Sequence, residues 1–304
     1  MSKSLTKKIA LASIAGASAY LSYELISNKF FDYAFKKNEI PDINDEKTIN
    51  WFNSLSYEKH SITSKDNLKL SSICIKNHNT NDYILFVHGI WSNKEFMYHY
   101  AYELDKLGYN LILVDQRASG ESQGEYYTYG YKESQDISDW CKYYSSINKK
   151  INICLFGVSM GAATCMMSTN KNLVKNVKCI VEDCGFTSMR EQFYYMLKNK
   201  YKINKPEIIL KVFESKFYKE LGIKYDDVDA IKCLKTNRIP ILFIHGTDDD
   251  FVPHDMCKKL YDSNLGYKEC LSVEGAKHSM SYKNKKYYDV VNVFTRKHIR
   301  KKVA

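Results

Sequence analysis

The feature that most constrains the fold is an alternation of short apolar runs with amphipathic segments. Runs rich in β-branched and aromatic residues are "YILFVHG" (83–89), "NLILVD" (110–115), "INICLFG" (151–157), "VKCIVED" (177–183), "IPILFIHG" (239–246) and "KECLSV" (268–273). Segments with helical spacing lie between them, at 95–107, 131–147, 160–170 and 254–264. Near-continuous apolar strands that alternate with helices are typical of parallel βαβ units. The pattern predicts an α/β protein with a mostly parallel sheet and helices on both faces.

A long helical stretch at residues 190–225 interrupts this alternation. We interpret it as a small helical lid inserted before the next strand. The chain has 304 residues, of which 44% are hydrophobic, and this is enough for one large core. No internal repeat or low-complexity linker divides it. We therefore expect one main domain at residues 51–304, preceded by a separate segment at residues 1–50.

The first 50 residues contain an apolar segment, 9–26, that directly follows Lys7 and Lys8. Its length approaches the roughly 20 residues that a helix needs to cross a bilayer. The next segment, "NKFFDYAFKK", carries aromatic residues and lysines of the kind found at membrane interfaces. We expect an uncleaved signal anchor, and hence a cell-membrane protein with a single-pass N-terminal anchor.

Two other interpretations of this segment remain open. A signal peptide could be cleaved after the small residues 17–19, or the segment could be a buried helix of a soluble protein. Lysines flank both ends of the segment, so the side of the membrane on which the catalytic domain lies is not predicted.

Composition argues against several other function classes. The formal net charge is +10, but the lysines are scattered and interleaved with Asn and Tyr, which indicates a solvated surface and no nucleic-acid partner. The nine cysteines form no CxxC pair and lie mostly in apolar runs, as buried free thiols do. No Cys/His cluster has the spacing of a zinc site. We predict neither a metal nor a cofactor.

A candidate nucleophile lies in "LFGVSMGAAT". Ser159 follows a predicted strand, precedes an alanine-rich helix start, and stands between Gly157 and Gly161. Glycines at these positions permit a sharp strand-to-helix turn that exposes the serine at the carboxyl edge of the sheet. The amino terminus of the following helix also favours developing negative charge. A merely structural turn is the alternative.

Several motifs together resemble the α/β-hydrolase fold, and specifically the bacterial, often membrane-tethered serine hydrolases related to esterases and serine aminopeptidase-like proteins. The resemblance runs from about Ser61 to the end of the chain. Its motifs, in the family's order, are "VHGIWSN" (87–93), "VDQRASGES" (114–122), "GVSMGA" (157–162), "EDCGFTS" (182–188), "IPILFIHGTDDDFVP" (239–253) and "GAKHSMSY" (275–282). One departure is "HGIW" (88–91), where many relatives carry a small or tyrosyl residue after the glycine.

An acyl-transfer enzyme needs fixed donors for the tetrahedral oxyanion. The first should be the backbone N–H of Met160, next after the nucleophile. The resemblance implies the second, the backbone N–H of Ile90. We interpret His88 and Gly89 as support for that loop.

The order nucleophile, acid, histidine leaves three candidates for the general base, His254, His278 and His298. His254 stands at a probable helix start and His298 in a basic terminal helix, so both are expected at the surface. His278 lies in a loop directly after the strand at 268–273, from which it can reach the carboxyl edge of the sheet. We predict His278 as the base.

Three consecutive aspartates stand in "HGTDDDFVP". The resemblance implies an acid in an HGxxDxxVP pattern, which selects Asp249. We interpret Asp248 as a turn residue and Asp250 as a residue that binds nearby backbone amides. Asp183, after the preceding strand, is the alternative acid.

The expected function is a serine hydrolase that acts on an ester or small acyl substrate through an acyl-enzyme intermediate. Peptidase or acyltransferase chemistry on the same triad is an alternative, and a catalytically silent, membrane-tethered binding scaffold is another. Six aromatic residues of the lid suggest an apolar acyl group, although helical spacing of this kind more often serves packing; they are Phe193, Tyr194, Tyr195, Phe213, Phe217 and Tyr218.

Overall fold

The computed structural model describes residues 28–29, 31–37 and 45–299. Within them, eight strands form one sheet. The strands are β1 (Glu58–Thr63), β2 (Lys69–Ile75), β3 (Asp82–Val87), β4 (Asn110–Asp115), β5 (Asn152–Val158), β6 (Val177–Asp183), β7 (Ile241–Gly246) and β8 (Lys268–Val273). Their order across the sheet is β1-β2-β4-β3-β5-β6-β7-β8.

The six predicted strands are present as β3 to β8 and are mutually parallel. The pattern did not predict β1 and β2, which form an antiparallel hairpin on the β4 edge. β1 is largely exposed, so its residues carry little of the apolar signal that marks the central strands.

Helices cover both faces of the sheet, as predicted. They are α1 (Glu46–Asn53), α2 (Tyr98–Lys106), α3 (Glu133–Ile147), α4 (Met160–Ser168), α5 (Met189–Tyr195), α6 (Pro206–Leu221), α7 (Ala230–Leu234), α8 (Asp255–Ser263) and α9 (Tyr287–Ile299). Alternate residues of β3 point to opposite faces, with Leu85 in one apolar core and Phe86 in the other. The central strands are therefore buried on both sides.

The predicted lid corresponds to α5, a π-helical turn at Met196–Lys200 and α6. Pro206 lies in the first turn of α6 and Gly222, with φ of 71°, ends it in the left-handed region.

Residues 31–37, which we call the N-terminal strap, pack into the main domain. Phe31 and Phe35 are buried, and the Phe35 ring lies 5.0 Å from the ring of Phe217 and 5.2 Å from that of Tyr129. The Tyr127 N–H donates to the Phe35 carbonyl at 2.7 Å. Phe31 and Phe35 therefore complete the core of the domain, and its packed part includes residues that precede the expected boundary at residue 50.

The predicted anchor, 9–26, lies outside the described residues. In the part of the chain that the structure describes, no helix combines the length and apolar character needed to cross a membrane.

Candidate active site

A strained turn joins β5 to α4 and carries Ser159. The serine has φ of 56° and ψ of −118°, outside the ordinary regions for a residue with a side chain. A Cβ at Gly161 would lie 2.0 Å from the Val87 carbonyl oxygen, and one at Gly157 would lie 2.4 Å from the Gly161 carbonyl oxygen. Both flanking positions therefore require glycine, which lets α4 pack closely against β3 and β5.

The structure brings the three residues predicted for the triad together. His278 Nε2 lies 2.9 Å from Ser159 Oγ, and His278 Nδ1 lies 2.7 Å from Asp249 Oδ2. The serine follows β5, the aspartate follows β7 and the histidine follows β8. Since these strands are parallel, their carboxyl ends meet at one edge of the sheet. The three side chains, which come from separate loops, therefore meet at this edge.

Asp249 is fixed by contacts on both of its oxygens. Oδ1 accepts hydrogen bonds from the N–H groups of Phe251 and Val252, at 2.9 and 2.8 Å. Burial alone would raise the pKa of Asp249, but hydrogen bonds from His245 and His278 hold it well below its usual range. The carboxylate is ionised at neutral pH and is aligned to stabilise a protonated His278.

The neighbouring aspartates lie elsewhere. Asp248 and Asp250 are exposed, and the Asp248 carboxylate accepts a hydrogen bond from Thr247 at 3.2 Å within the turn. Asp250 was expected to bind nearby backbone amides, but Asp249 is the residue that binds the N–H groups of Phe251 and Val252. Asp183, the alternative acid, is fully buried and accepts a hydrogen bond from the Tyr287 hydroxyl at 2.7 Å.

The other histidines have different surroundings. His254 is half-buried and its Nε2 lies 2.9 Å from Ser272 Oγ. His298 is buried, so its expected surface position is wrong; its ring packs 4.7 Å from the ring of Phe294 on the inner side of α9. His88 accepts a hydrogen bond from the Gln116 N–H at 3.0 Å, and its Nδ1 donates to the Gly89 carbonyl. It braces the loop after β3, as interpreted from the sequence.

That loop carries one of the predicted oxyanion donors. A Cβ added to Gly89 would lie 3.4 Å from Ser159 Cβ, so the loop passes directly over the serine. In the described part of the chain the Ile90 N–H has no hydrogen-bond acceptor. Met160 is the first residue of α4, so its N–H has no acceptor within the helix. Both amides remain available to a developing oxyanion.

The buried residues His245 and Glu182, which lie behind Asp249, were not predicted as part of the site from the sequence. His245 Nε2 donates to the Val252 carbonyl at 2.9 Å and lies 3.3 Å from Asp249 Oδ2. Burial raises the pKa of Glu182 to about 8, although the nearby His245 opposes this shift. Among the described residues, His245 Nδ1 and Glu182 Oε1 are buried without hydrogen-bond partners. His245 lies in "FIHG" and Glu182 in "VED", and both motifs look like ordinary strand ends. The pair was therefore not recognisable from the sequence.

Ser159 stands between two cavities. The first is narrow, about 70 Å³, and lies beneath the lid. The second is wider, about 660 Å³, and lies on the side of His278. Among their described lining residues, both cavities share four: Ile90, Trp91, Ser159 and Phe251.

The lid and the N-terminal strap together line the first cavity. From the lid come Phe193 and Phe213, whereas Phe217 serves core packing and Tyr218 is exposed. Thus only part of the aromatic set of the lid lines this cavity. The strap contributes Tyr33 and Ala34, which the sequence analysis missed. The signal was present, since Phe31, Ala34 and Phe35 have the i, i+3, i+4 spacing of a buried helical face.

One group of three potential metal ligands occurs in the described residues, namely Cys184, Asp249 and His278. Burial raises the pKa of the Cys184 thiol well above its usual value, so the sulfur is held as a neutral thiol. Neutral thiols are poor metal ligands. The donor set does not favour a metal ion, and the absence of a metal stays a prediction.

Comparisons with known proteins agree with this architecture. A family described as the alpha/beta hydrolase fold matches residues 82–205. The uncharacterized protein YqkD of Bacillus subtilis is 28% identical over 294 residues, which cover 93% of this chain and 94% of YqkD. The AB hydrolase superfamily protein YisY of the same bacterium is 27% identical over 212 residues, which cover 58% of this chain and 78% of YisY.

Among solved structures, the esterase Pf2001 of Pyrococcus furiosus is similar with a TM-score of 0.67 and 23% identity. The similarity covers 86% of this chain and 100% of the esterase. At this level of identity, the likeness establishes the fold. The α/β-hydrolase fold predicted from the motifs is confirmed.

Proposed function

We propose that this protein of the α/β-hydrolase fold is a serine hydrolase that cleaves an ester or related acyl substrate. The observation that carries the proposal is the continuous hydrogen-bonded series from Ser159 through His278 to Asp249, at 2.9 and 2.7 Å. Such a series is what nucleophilic catalysis by a weakly acidic hydroxyl requires.

The first half of the reaction acylates the enzyme. Ser159 Oγ attacks the carbonyl carbon while His278 Nε2 takes its proton, and Asp249 stabilises the imidazolium that forms. The N–H groups of Ile90 and Met160 bind the oxyanion. His278 then protonates the leaving alcohol as the ester bond breaks.

The second half releases the acid. Water gives a proton to His278 Nε2 and attacks the acyl-enzyme, and collapse of the second tetrahedral intermediate returns the proton to Ser159 Oγ. The same groups would serve a peptidase or an acyltransferase, which differ in leaving group or acceptor. We favour ester cleavage because the solved structures of similar fold include esterases.

Substitution of the nucleophile tests the proposal. Ser159→Ala should abolish turnover of p-nitrophenyl acetate to within the uncatalysed background, a loss of several orders of magnitude. Ser168→Ala is a matched control, because that buried serine lies on the same helix and bonds the Cys165 carbonyl. Turnover by Ser159→Ala at the rate of the control would contradict the proposal. Absence of turnover in the wild-type protein and the control would favour a catalytically silent scaffold.

We also propose that residues 9–26 anchor the protein to a membrane. Support comes from the apolar segment and the preceding lysines. Full-length protein should sediment with membranes and resist carbonate extraction, whereas a form that starts at residue 28 should not. Intact full-length protein recovered wholly in the supernatant would contradict the anchor.

A further inference from the structure

We propose that the substrate joins an apolar acyl chain to a compact, uncharged polar alcohol, with the acyl chain in the cavity beneath the lid and the alcohol in the second cavity. The inference rests on the proposed function and adds the direction in which the ester lies. It follows from the arrangement of the two cavities around the triad.

The scissile bond must lie where the two cavities meet. Ser159 and Ile90 line both cavities, and they are the proposed nucleophile and oxyanion donor. A carbonyl carbon placed against Ser159 Oγ therefore has one substituent on each side. The two parts of the ester have to divide between the cavities.

The position of the general acid decides which part goes where. The leaving oxygen must come within hydrogen-bond reach of His278 Nε2 to receive its proton. Among the described lining residues, His278 belongs to the second cavity and not to the first. The alcohol therefore leaves through the second cavity, and the acyl chain remains in the first.

The first cavity suits an apolar chain. Leu197, Phe213 and Val252 are among its lining residues. Its polar groups are largely engaged by the protein, since the Tyr129 hydroxyl donates to the Ala34 carbonyl at 3.0 Å. The Gln192 side-chain amide likewise donates to the Phe251 carbonyl at 2.7 Å. Two buried polar atoms of the lining residues, Gln192 Oε1 and Trp91 Nε1, lack hydrogen-bond partners among the described residues, but the lining is otherwise mainly apolar. A strongly polar acyl group would therefore lose more hydration there than it could regain.

The second cavity suits hydroxyl groups. Its described lining residues include Asp45, Ser92, Ser279 and Tyr282 beside apolar residues such as Phe96 and Met280, and contain no lysine or arginine. Hydrogen bonds from Thr48 hold the pKa of Asp45 below its usual value, so this one carboxylate of the lining is ionised at neutral pH. An anionic headgroup such as a phosphate would be repelled, whereas glycerol could donate hydrogen bonds to these oxygens.

Matched esters test the direction. With wild-type protein, kcat/KM for methyl esters should rise about fourfold per added acyl methylene until the first cavity is filled. Monoacylglycerols should exceed methyl esters of the same acid by roughly tenfold or more. A preference for acetyl esters of long alcohols would overturn the proposal.

Two identical substitutions separate the cavities. Met196 lines only the first cavity among the described residues and Met280 only the second. Met196→Trp should lower the ratio of kcat/KM for long to short acyl chains at least tenfold. Met280→Trp should instead lower the ratio for glyceryl to methyl esters and leave the acyl-length ratio within about twofold of wild type.

The reverse pattern, or equal changes in both ratios for both variants, would overturn the inference. Circular dichroism establishes that each variant is folded before its ratios are read. Failure here is distinguishable from failure of the proposed function. If wild-type protein turns over p-nitrophenyl acetate and Ser159→Ala does not, the proposed serine hydrolase activity is supported even when neither cavity shows the expected preference.

Discussion

His278 Nδ1 lies 2.7 Å from Asp249 Oδ2, so one of three consecutive aspartates is paired with the imidazole. The three aspartates differ in the direction in which their side chains point. Asp249 turns inward and is 6% exposed, whereas Asp248 and Asp250 on either side face solvent. The inward carboxylate also accepts hydrogen bonds from the backbone amides of Phe251 and Val252, which fixes its orientation toward His278.

Asp249→Asn should lower kcat by about 10²-fold to 10⁴-fold, because an amide would favour the wrong imidazole tautomer and would not stabilise its charged form. Initial rates with a p-nitrophenyl ester measure the loss. Asp248→Asn and Asp250→Asn make the same chemical change on either side and should stay within a few-fold of wild type. Near-normal turnover of Asp249→Asn, with loss in Asp250→Asn or Asp183→Asn, would show that the acid is misassigned.

Removal of the N-terminal strap should destabilise the domain. A form that starts at residue 45 loses the burial of Phe31 and Phe35, which is worth roughly 3 to 6 kcal/mol for two phenylalanines. It also loses one wall of the cavity beneath the lid. A form that starts at residue 28 keeps the strap and is the matched control. Urea unfolding of both forms measures the difference.

Equal unfolding midpoints and equal ester turnover for the two truncated forms would contradict the role given to the strap. Loss of turnover in the shorter form without loss of stability would place its contribution in the cavity wall alone.

The buried Glu182 should make stability fall with rising pH. Burial raises its pKa from an ordinary 4.5 to about 8, so between these values the unfolded chain releases a proton that the native state retains. The contribution of the neutral carboxyl is therefore fully present below about pH 4.5 and is lost as pH rises through about 8. Its slope reaches at most about 1.4 kcal/mol per pH unit. Because His245 lies in the same buried group, the measured slope belongs to the pair.

Glu182→Gln should flatten this dependence when free energies of unfolding are measured by urea between pH 5 and 8. Glu274→Gln, the same change at an exposed residue, should follow the wild-type curve. A Glu182→Gln curve parallel to wild type would contradict the raised pKa.

The sequence was most informative where a residue's role depends on local geometry. Ser159 between two glycines specifies a turn that only a strand followed by a helix can form, and β5 and α4 supply them. The parallel strands were likewise predictable because burial on both faces leaves continuous apolar runs. His278 could be chosen from three histidines because its loop directly follows a strand.

Roles set by distant packing were harder to predict. Phe31 and Phe35 carry the same aromatic character at a membrane interface as in a core. Only packing against residues distant in the sequence distinguishes the two, as in the contacts of Phe31 with Tyr126 and of Phe35 with Phe217. His298 stands in a basic segment yet points inward from α9. The sequence pattern also could not show that two cavities meet at Ser159, because their walls come from segments far apart in the chain.

The central claim is that Ser159 is the nucleophile activated by His278, and covalent labelling with a fluorophosphonate tests it most directly. Mass spectrometry of the labelled, digested protein should place a single adduct on the peptide that contains Ser159. Labelling should be absent in Ser159→Ala and at least about a hundredfold slower in His278→Ala, since the serine would lose its base. An adduct on another residue, or labelling of Ser159→Ala at the wild-type rate, would contradict the account.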